Sequence, residues 1–281
     1  FIMVGMGLKV AIFPLHLWLP NAYTYAPSAI TSFLAATATK VAIYVMLRFL
    51  FSVFQPGFLA EVPTLDLLLY PFAILAMFAA SYTAILQRDL KRMLAYSSIG
   101  QVGYMLLGVA LLSKSGLMAT MIHLFNHGIT KAALFMGVGV YVLNGGGSFY
   151  HNLRGRGKTM PWTSAAMVVA GLSLIGVPGT AGFLSKWLLV EAALTQGMWP
   201  IALLIVASSL LAVIYVWKLI ETLYLAQPAD GLQDQNVPLM MMIPLWVMAL
   251  ACIYFGFDTD ITLSAARSAA EGLLAGSAGM R

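Results

Sequence analysis

Charged residues and cysteine are both scarce in this sequence. Only 15 basic and 10 acidic residues occur among 281, whereas charged residues make up about 25% of an average soluble domain. An ordinary soluble enzyme and a disordered chain are both excluded, because 61% of the residues are apolar and a soluble globule could not bury them all. A single cysteine, Cys252, excludes a disulfide framework and a zinc or iron–sulfur cluster built by this chain alone. The net charge of +5 is too small and too scattered for nucleic-acid binding.

Long uncharged runs make up most of the sequence, and its mean hydropathy is +0.89. Most of these runs reach the roughly 20 residues that a helix needs to cross a bilayer, and they are too long for barrel strands. The sequence therefore predicts an all-α, polytopic transmembrane helical bundle. Its eight predicted spans are 1–19, 28–52, 66–86, 92–112, 116–143, 162–195, 199–224 and 237–257. The polar residues 258–281 are predicted as a tail, either a short interfacial helix or a loose end.

Two of the predicted spans contain helix breakers. The first span carries Pro14 and Pro20, and the sixth carries Gly and Pro at 176–179 together with Gly182. Proline removes a backbone donor and clashes with the preceding turn. Paired interruptions of this kind are typical of inverted-repeat transporters, although a simple proline kink is the alternative for the first span.

Basic residues cluster in two of the predicted loops. Residues 87–92 read QRDLKR and residues 151–158 read HNLRGRGK, whereas the opposite side carries Glu61, Asp66 and Lys114. Cytoplasmic loops of membrane proteins are enriched in Lys and Arg. We therefore expect both basic loops on the cytoplasmic side of an inner membrane.

Four lysines lie inside predicted spans: Lys9, Lys40, Lys131 and Lys186. A lysine at the bilayer centre costs at least about 2.5–3.5 kcal/mol. Lys131 and Lys186 are too far from the span ends to reach the interface by extending their side chains. Lys9 could do so if its span is short. We expect Lys131 and Lys186 to be functional.

The fifth span contains His123, His127 and Lys131 at helical positions i, i+4 and i+8. Residues at this spacing form one stripe along a helix, about 12 Å long. Imidazole titrates near neutral pH, so the stripe predicts a proton relay, with hydrogen-bonded core histidines as the alternative. A metal site is not predicted, because HLFNH lacks the glutamate of a metal-binding HExxH helix and has no nearby thiol or carboxylate.

No sequence feature indicates a bound redox group. The glycines at 145–147 follow a membrane span and do not open a nucleotide-binding helix after a strand. Two histidines four residues apart on one helix cannot occupy opposite axial positions of a haem. We therefore expect no cofactor.

Four segments together resemble a known family. They are HLWLPNAYTYAPSAITSFLAATATKVAIYVMLRF, QRDLKRMLAYSSIGQVGYMLLG, HLFNHGITKAALF and GVPGTAGFLSKW. The sequence is similar to the antiporter-like membrane subunits shared by respiratory complex I and Mrp-type cation/proton antiporters, over about residues 1–257. Within that family the closest resemblance is to a membrane subunit of the Mrp-type monovalent cation/proton antiporter.

The resemblance implies a fold of fourteen transmembrane helices with two inverted five-helix repeats. It assigns residues 1–52 to the end of the first repeat, 66–224 to the second repeat and 237–257 to the final helix. It also implies proton-relay roles on helices seven, eight, eleven and twelve for Lys9, Lys40, the His123–His127–Lys131 stripe and Lys186. One complex I branch carries glutamate at the last of these positions, so Lys186 argues against that branch.

The first residues, FIMVGMGLKV, lie inside an apolar stretch and lack an initiator Met. We interpret the chain as starting at the family's helix seven, without the upstream helix whose glutamate the resemblance pairs with Lys9. Only one acid of this chain, Glu191, lies well within a span, and it does not share a helix face with Lys186.

The predicted function is proton translocation coupled to exchange of a monovalent cation (Na⁺ or K⁺), as one membrane subunit of a hetero-oligomeric antiporter. The first alternative is a proton-pumping subunit of NADH-quinone oxidoreductase (complex I) or of a related membrane hydrogenase. The second alternative is a structural scaffold, which the buried lysines disfavour. The predicted partners are other membrane subunits, the lipid bilayer, protons and monovalent cations. No enzymatic reaction of its own and no nucleic acid are predicted.

Overall fold

The long apolar runs form helices, because within hydrocarbon every backbone N–H and C=O group must find a partner inside the chain. The computed structural model describes residues 1–54, 63–145, 147–227 and 237–275. Across these residues there is no β-strand, only one isolated bridge between Asp89 and Phe149. Thirteen α-helices are described. They are α1 Ile2–Val10, α2 Trp18–Tyr25, α3 Ser28–Arg48, α4 Pro63–Leu75, α5 Ser81–Leu86, α6 Leu90–Ala110, α7 Lys114–Leu143, α8 Arg156–Thr159, α9 Pro161–Ile175, α10 Ala181–Thr195, α11 Trp199–Ile220, α12 Leu239–Phe257 and α13 Asp260–Ala275.

Five helical segments are long and apolar enough to cross a membrane: Ser28–Val53, Leu68–Leu86, Leu90–Ala110, Trp199–Leu225 and Leu239–Phe257. Short π-helical turns continue α3, join α4 to α5 and extend α11. The other three predicted spans correspond to two broken helices and to α7, whose 30 residues would extend about 45 Å. The prediction of an all-α polytopic membrane protein is confirmed.

The first predicted span is interrupted between α1 and α2. Ala11, just after α1, has left-handed backbone angles (φ 62°, ψ 47°), and regular helix resumes only at Trp18. Pro14 lies within this interruption. Pro20 lies in the first turn of α2, where no intrahelical N–H bond is lost. Only the first of the two prolines therefore coincides with the break.

The sixth predicted span is interrupted between α9 and α10. Gly176 ends α9 with φ 89°, and Gly179 has φ 85°, a region that side chains with a Cβ rarely adopt. Gly182 allows close approach of the two half-helices, since a Cβ at this position would lie 1.8 Å from the carbonyl oxygen of Ser173. The break therefore depends on three glycines at different points.

Helix α7 lies at the centre of the bundle. It packs against α3, α6, α9, α10, α12 and α13. Its neighbour α6 is almost wholly buried: 94% of the residues in its most apolar stretch lie inside the protein. The stripe of histidines and lysine on α7 is thereby enclosed by other helices rather than by lipid.

Part of the predicted tail forms a helix, α13, that docks on α7. Ala266, Ala270 and Leu273 are its buried residues. Glu271 forms an ion pair with Lys114 at 2.5 Å, and the hydrogen bond and charge of Lys114 lower the pKa of the Glu271 carboxyl. Both side chains are about half exposed, so the pair adds little stability. Residues 276–281 lie outside the described residues.

The two basic loops meet at one end of the bundle. The N–H of Leu90 donates to the carbonyl of Ser148 at 2.7 Å, and the N–H of Tyr150 donates to the carbonyl of Arg88 at 3.0 Å. Both loops are therefore on the same side, as the charge pattern predicts. Glu61 lies outside the described residues. The boundaries of the two repeats stay predictions.

Candidate functional site

Lys131 is fully enclosed in the centre of the bundle. Its exposure is 0%, and its Nζ donates to the carbonyl of Leu94 at 2.7 Å and to the hydroxyl of Ser97 at 2.5 Å. Both acceptors belong to α6. Burial of an ammonium is costly, and these two neutral acceptors offset only part of that cost.

His123 and His127 stack one turn apart on α7. Their ring centroids are 6.1 Å apart and the rings are nearly parallel, at 6°. His123 Nδ1 lies 2.8 Å from the hydroxyl of Ser185 on α10, which itself donates to the carbonyl of Gly182 at 3.2 Å. The roles of donor and acceptor in the His123–Ser185 bond depend on the tautomer of the imidazole.

Lys186 lies beside the break between α9 and α10. Its Nζ donates to the carbonyls of Leu174 at 3.1 Å and Ile175 at 2.7 Å. These carbonyls are in the last turn of α9, where the helix dipole carries partial negative charge. The ammonium also lies over the ring of Tyr104, 5.0 Å from its centroid. The broken helix thus supplies a cation-binding end for a lysine on its second half.

Lys40 on α3 completes the buried cluster. It is 5% exposed, and its ammonium donates to the carbonyl of Ala35 in its own helix. Its helix packs directly against α7, which carries His127 and Lys131. The structure therefore brings together Lys40, His123, His127, Lys131 and Lys186.

Lys9 does not join this cluster. Its side chain is exposed on α1, and among the described residues no hydrogen bond from it is seen. Glu191 is likewise exposed on α10. Asp89 is the one buried carboxylate among the described residues. It lies in a basic loop, away from the cluster, and accepts from the hydroxyl of Ser148 and the N–H of Arg92.

A small polar cavity connects the two histidines with Lys186. Its volume is about 10 Å³, which is room for about one water molecule. The residues lining it are Gln101, His123, Asn126, His127, Thr130, Ser173, Leu174, Gly182 and Lys186. Several buried polar atoms around it have no protein partner: His123 Nε2, both ring nitrogens of His127 and Asn126 Oδ1. Because buried polar groups are nearly always hydrogen-bonded, this cavity suits a water that connects them.

Metal coordination has no basis in the described part of the chain, where no three His, Cys, Asp or Glu side chains are grouped for it. What the cluster can do chemically is accept and pass protons. Imidazoles and amines change charge by taking up one proton, and a bridging water or hydroxyl can carry it between them.

Several polar residues of the cluster are not singled out by the sequence pattern. Ser97 and Tyr104 come from α6, and Ser185 precedes Lys186 on α10. Asn126 lies between the two histidines, three residues after His123, and this helical spacing is the one local signal that could have indicated it. Nothing local indicates Tyr104, because its contacts are with residues far away in sequence.

A family model covers most of the chain. Residues 1–212 match the family described as NADH:quinone oxidoreductase/Mrp antiporter, TM. The NADH-quinone oxidoreductase subunit N of Desulforudis audaxviator is 38% identical over 277 residues, or 94% of this chain. This alignment covers 55% of the relative, so the chain spans about half the length of the curated relatives it matches.

Solved structures share the fold. A chain of the membrane-bound sulfane sulfur reductase, described as an archaeal respiratory membrane complex, has a TM-score of 0.87 at 32% identity, covering 97% of this chain and 55% of that one. A chain of the Mrp complex from Dietzia sp. DQ12-45-1b has the same TM-score at 24% identity, covering 97% of this chain and 58% of that one. The relatives named subunit N favour the complex I alternative over the predicted likeness to the Mrp-type antiporter.

Proposed function

We propose, from the premise that this chain belongs to the NADH:quinone oxidoreductase/Mrp antiporter transmembrane family, that it moves protons across a membrane as one subunit of a larger respiratory complex. The observation that carries the proposal is the line of buried titratable side chains on α3, α7 and α10. A scaffold would be more stable with apolar residues at these positions, because each buried ammonium is costly.

The proposed proton path runs from Lys40 to Lys186. Lys40, on the helix α3 that packs against α7, passes a proton toward His127 and Lys131. His127 and His123 are stacked neighbours, and the small cavity that they line together with Lys186 has room for a water through which a proton would reach the amine. Lys186 then releases the proton to one side of the membrane.

Mutual repulsion of like charges supplies the coupling in this proposal. A proton on one lysine of the cluster disfavours a second proton on its neighbours, and the described core has no carboxylate to neutralise them. A change of charge at one end therefore shifts protonation along the line. Lys9, which is exposed on α1, lies outside the cluster.

The proposed setting is a multi-subunit complex in an inner membrane, with the paired basic loops on the cytoplasmic side. Relatives named NADH-quinone oxidoreductase subunit N favour proton pumping that is driven by electron transfer elsewhere in such a complex. Exchange of protons for Na⁺ or K⁺ is the second candidate, supported by the Mrp antiporters in the family description.

Proteoliposomes containing the complete purified complex test the proposal. We expect a pH-sensitive dye inside the vesicles to report proton movement when an electron donor and a quinone are added. Lys131→Ala should abolish it, whereas Lys114→Ala, at the exposed start of the same helix, should not. Proton movement that follows only an imposed Na⁺ or K⁺ gradient would favour exchange instead. Undiminished proton movement with Lys131→Ala would overturn the proposed path.

A further inference from the structure

We infer that Tyr104 is a positioning residue for Lys186: its ring holds the lysine in the ammonium form against the end of α9 and beside His123. The inference rests on the proposed function and adds a residue from α6 to the site. It is drawn from contacts that link α6, α7, α10 and α11 around one aromatic ring.

The ring of Tyr104 lies between two members of the proton path. Lys186 Nζ is 5.0 Å from the ring centroid, and the imidazole of His123 is 5.7 Å away, tilted by 50°. Tyr104 is 1% exposed. Its hydroxyl is hydrogen-bonded to that of Ser209 on α11, at 3.2 Å. The ring is therefore fixed by burial and by the hydrogen bond of its hydroxyl to α11.

In the described chain the Lys186 ammonium contacts three groups: the backbone carbonyls of Leu174 and Ile175 and the ring of Tyr104. The ring is the one side chain among them. The face of an aromatic ring carries negative electrostatic potential and attracts a cation, most strongly where water is excluded. A neutral amine loses most of this attraction. The ring therefore favours the proton-loaded state of Lys186 over the unloaded state.

Tyr104 does not itself carry the proton in this arrangement. Its hydroxyl is engaged with Ser209, whereas the proton path follows the cavity, which Tyr104 does not line. The ring instead determines where the loaded ammonium lies. Once the proton leaves, the amine loses the attraction of the ring and is held only by the two carbonyls, at the cavity that it lines.

The test compares three variants in the complete complex, reconstituted in proteoliposomes. Tyr104→Phe keeps the ring and removes the hydroxyl. Tyr104→Leu removes the ring and keeps an apolar side chain. Tyr141→Leu is the matched control, because Tyr141 is also fully buried and hydrogen-bonded, to Ser164 at 2.8 Å, but belongs to no part of the proton path. Proton transport is measured against pH, and assembly is checked by native electrophoresis.

We expect Tyr104→Leu to slow proton transport on the order of tenfold and to shift its pH dependence to lower pH, because more protons are then needed to load the amine. Tyr104→Phe should keep the wild-type pH dependence. Tyr141→Leu should reduce the amount of assembled complex without moving the pH dependence. A Tyr104→Leu complex that assembles and keeps the wild-type pH profile would overturn the inference, as would equal impairment by Tyr104→Phe. If the wild-type complex moves no protons at all, it is the proposed function that fails.

Discussion

At the scale of single residues, the protein combines buried amines with neutral partners. Lys131 bonds to a carbonyl and a hydroxyl, and Lys186 bonds to two carbonyls and contacts a ring. A carboxylate partner would hold each ammonium firmly in its charged form. Neutral partners leave the charged and uncharged states closer in free energy, which is what a group that must both take up and release protons requires.

The amine of Lys186 is the most direct residue to test. Lys186→Ala should slow proton transport about a hundredfold or more, the typical contribution of a positioned proton donor or acceptor, while the complex still assembles. Lys186→Arg should also be inactive, since a guanidinium stays charged and cannot release a proton. Dye-reported proton uptake in everted membrane vesicles measures both, with Lys158→Ala at an exposed position of the short helix α8 as the control. Normal uptake with Lys186→Ala would exclude the residue from the path.

The hydroxyl of Ser185 gives a second test at this scale. Ser185→Ala removes the hydroxyl that is hydrogen-bonded to His123 Nδ1, so the imidazole should lose the partner that orients it and transport should slow about tenfold. Ser164→Ala is the matched control, because it removes a buried hydroxyl that bonds to Tyr141 outside the cluster. Equal transport rates in the two variants would show that Ser185 has no special role.

At the scale of helices, the function depends on an element that is not continuous. The end of α9 offers free carbonyls only because the chain leaves the helix at Gly176, and α10 then starts close enough for Lys186 to reach back to them. An unbroken helix would use the same carbonyls in its own hydrogen bonds. The break therefore creates the binding site for the ammonium.

Gly182→Ala tests how closely the two half-helices α9 and α10 pack at this break. The added Cβ would lie 1.8 Å from the backbone carbonyl oxygen of Ser173, which cannot move aside as a flexible side chain can. We expect the variant to lose about 3 kcal/mol or more of stability, measured as a lower midpoint in thermal unfolding of the purified complex.

Gly272→Ala in α13 is the control, because nothing lies within 4 Å of its Cβ position. That change should leave stability equal or raise it by up to about 1 kcal/mol, the helix preference of alanine over glycine. Equal stability of the Gly182→Ala and Gly272→Ala variants would contradict the close packing of the two half-helices at Gly182.

At the scale of the whole molecule, charged side chains are buried and large apolar side chains are exposed, the reverse of a soluble protein. Lys131 is 0% exposed, whereas Trp217 is 55% and Leu239 is 74% exposed. Only 17% of the residues in the most apolar stretch of α12 are buried within this chain. Such an outer surface fits lipid or the apolar faces of other membrane subunits.

The orientation of the molecule can be measured by thiol labelling. With the buried Cys252 replaced by Ala, a cysteine at the exposed Arg154 should react with an impermeant reagent only from the cytoplasmic side. A cysteine at Glu271 should react only from the opposite side, since Glu271 pairs with Lys114 at the end of α7 remote from the basic loops. Labelling of both positions from one side would contradict the arrangement of the helices, and reversed labelling would invert the proposed direction of transport.

The sequence by itself determined the class of protein, the position of the apolar segments, the break in the sixth span and the burial of Lys131 and Lys186, whereas for the first span it left a proline kink as the alternative to a break. These properties are local: run length decides whether a helix can span a bilayer, glycine and proline decide where it stops, and distance from the span ends decides whether a lysine reaches water. The 3.6-residue period also places His123, His127 and Lys131 on one stripe.

Only the tertiary structure decided which distant groups meet. The ring of Tyr104 lies under Lys186, Ser185 bonds to His123, α13 docks on α7, and Lys9 stays outside the cluster. These contacts join helices far apart in sequence, so they depend on how helix surfaces pack against each other and not on any local preference. Because these contacts are not local, the sequence predicted the buried lysines but not the neutral groups that bind them.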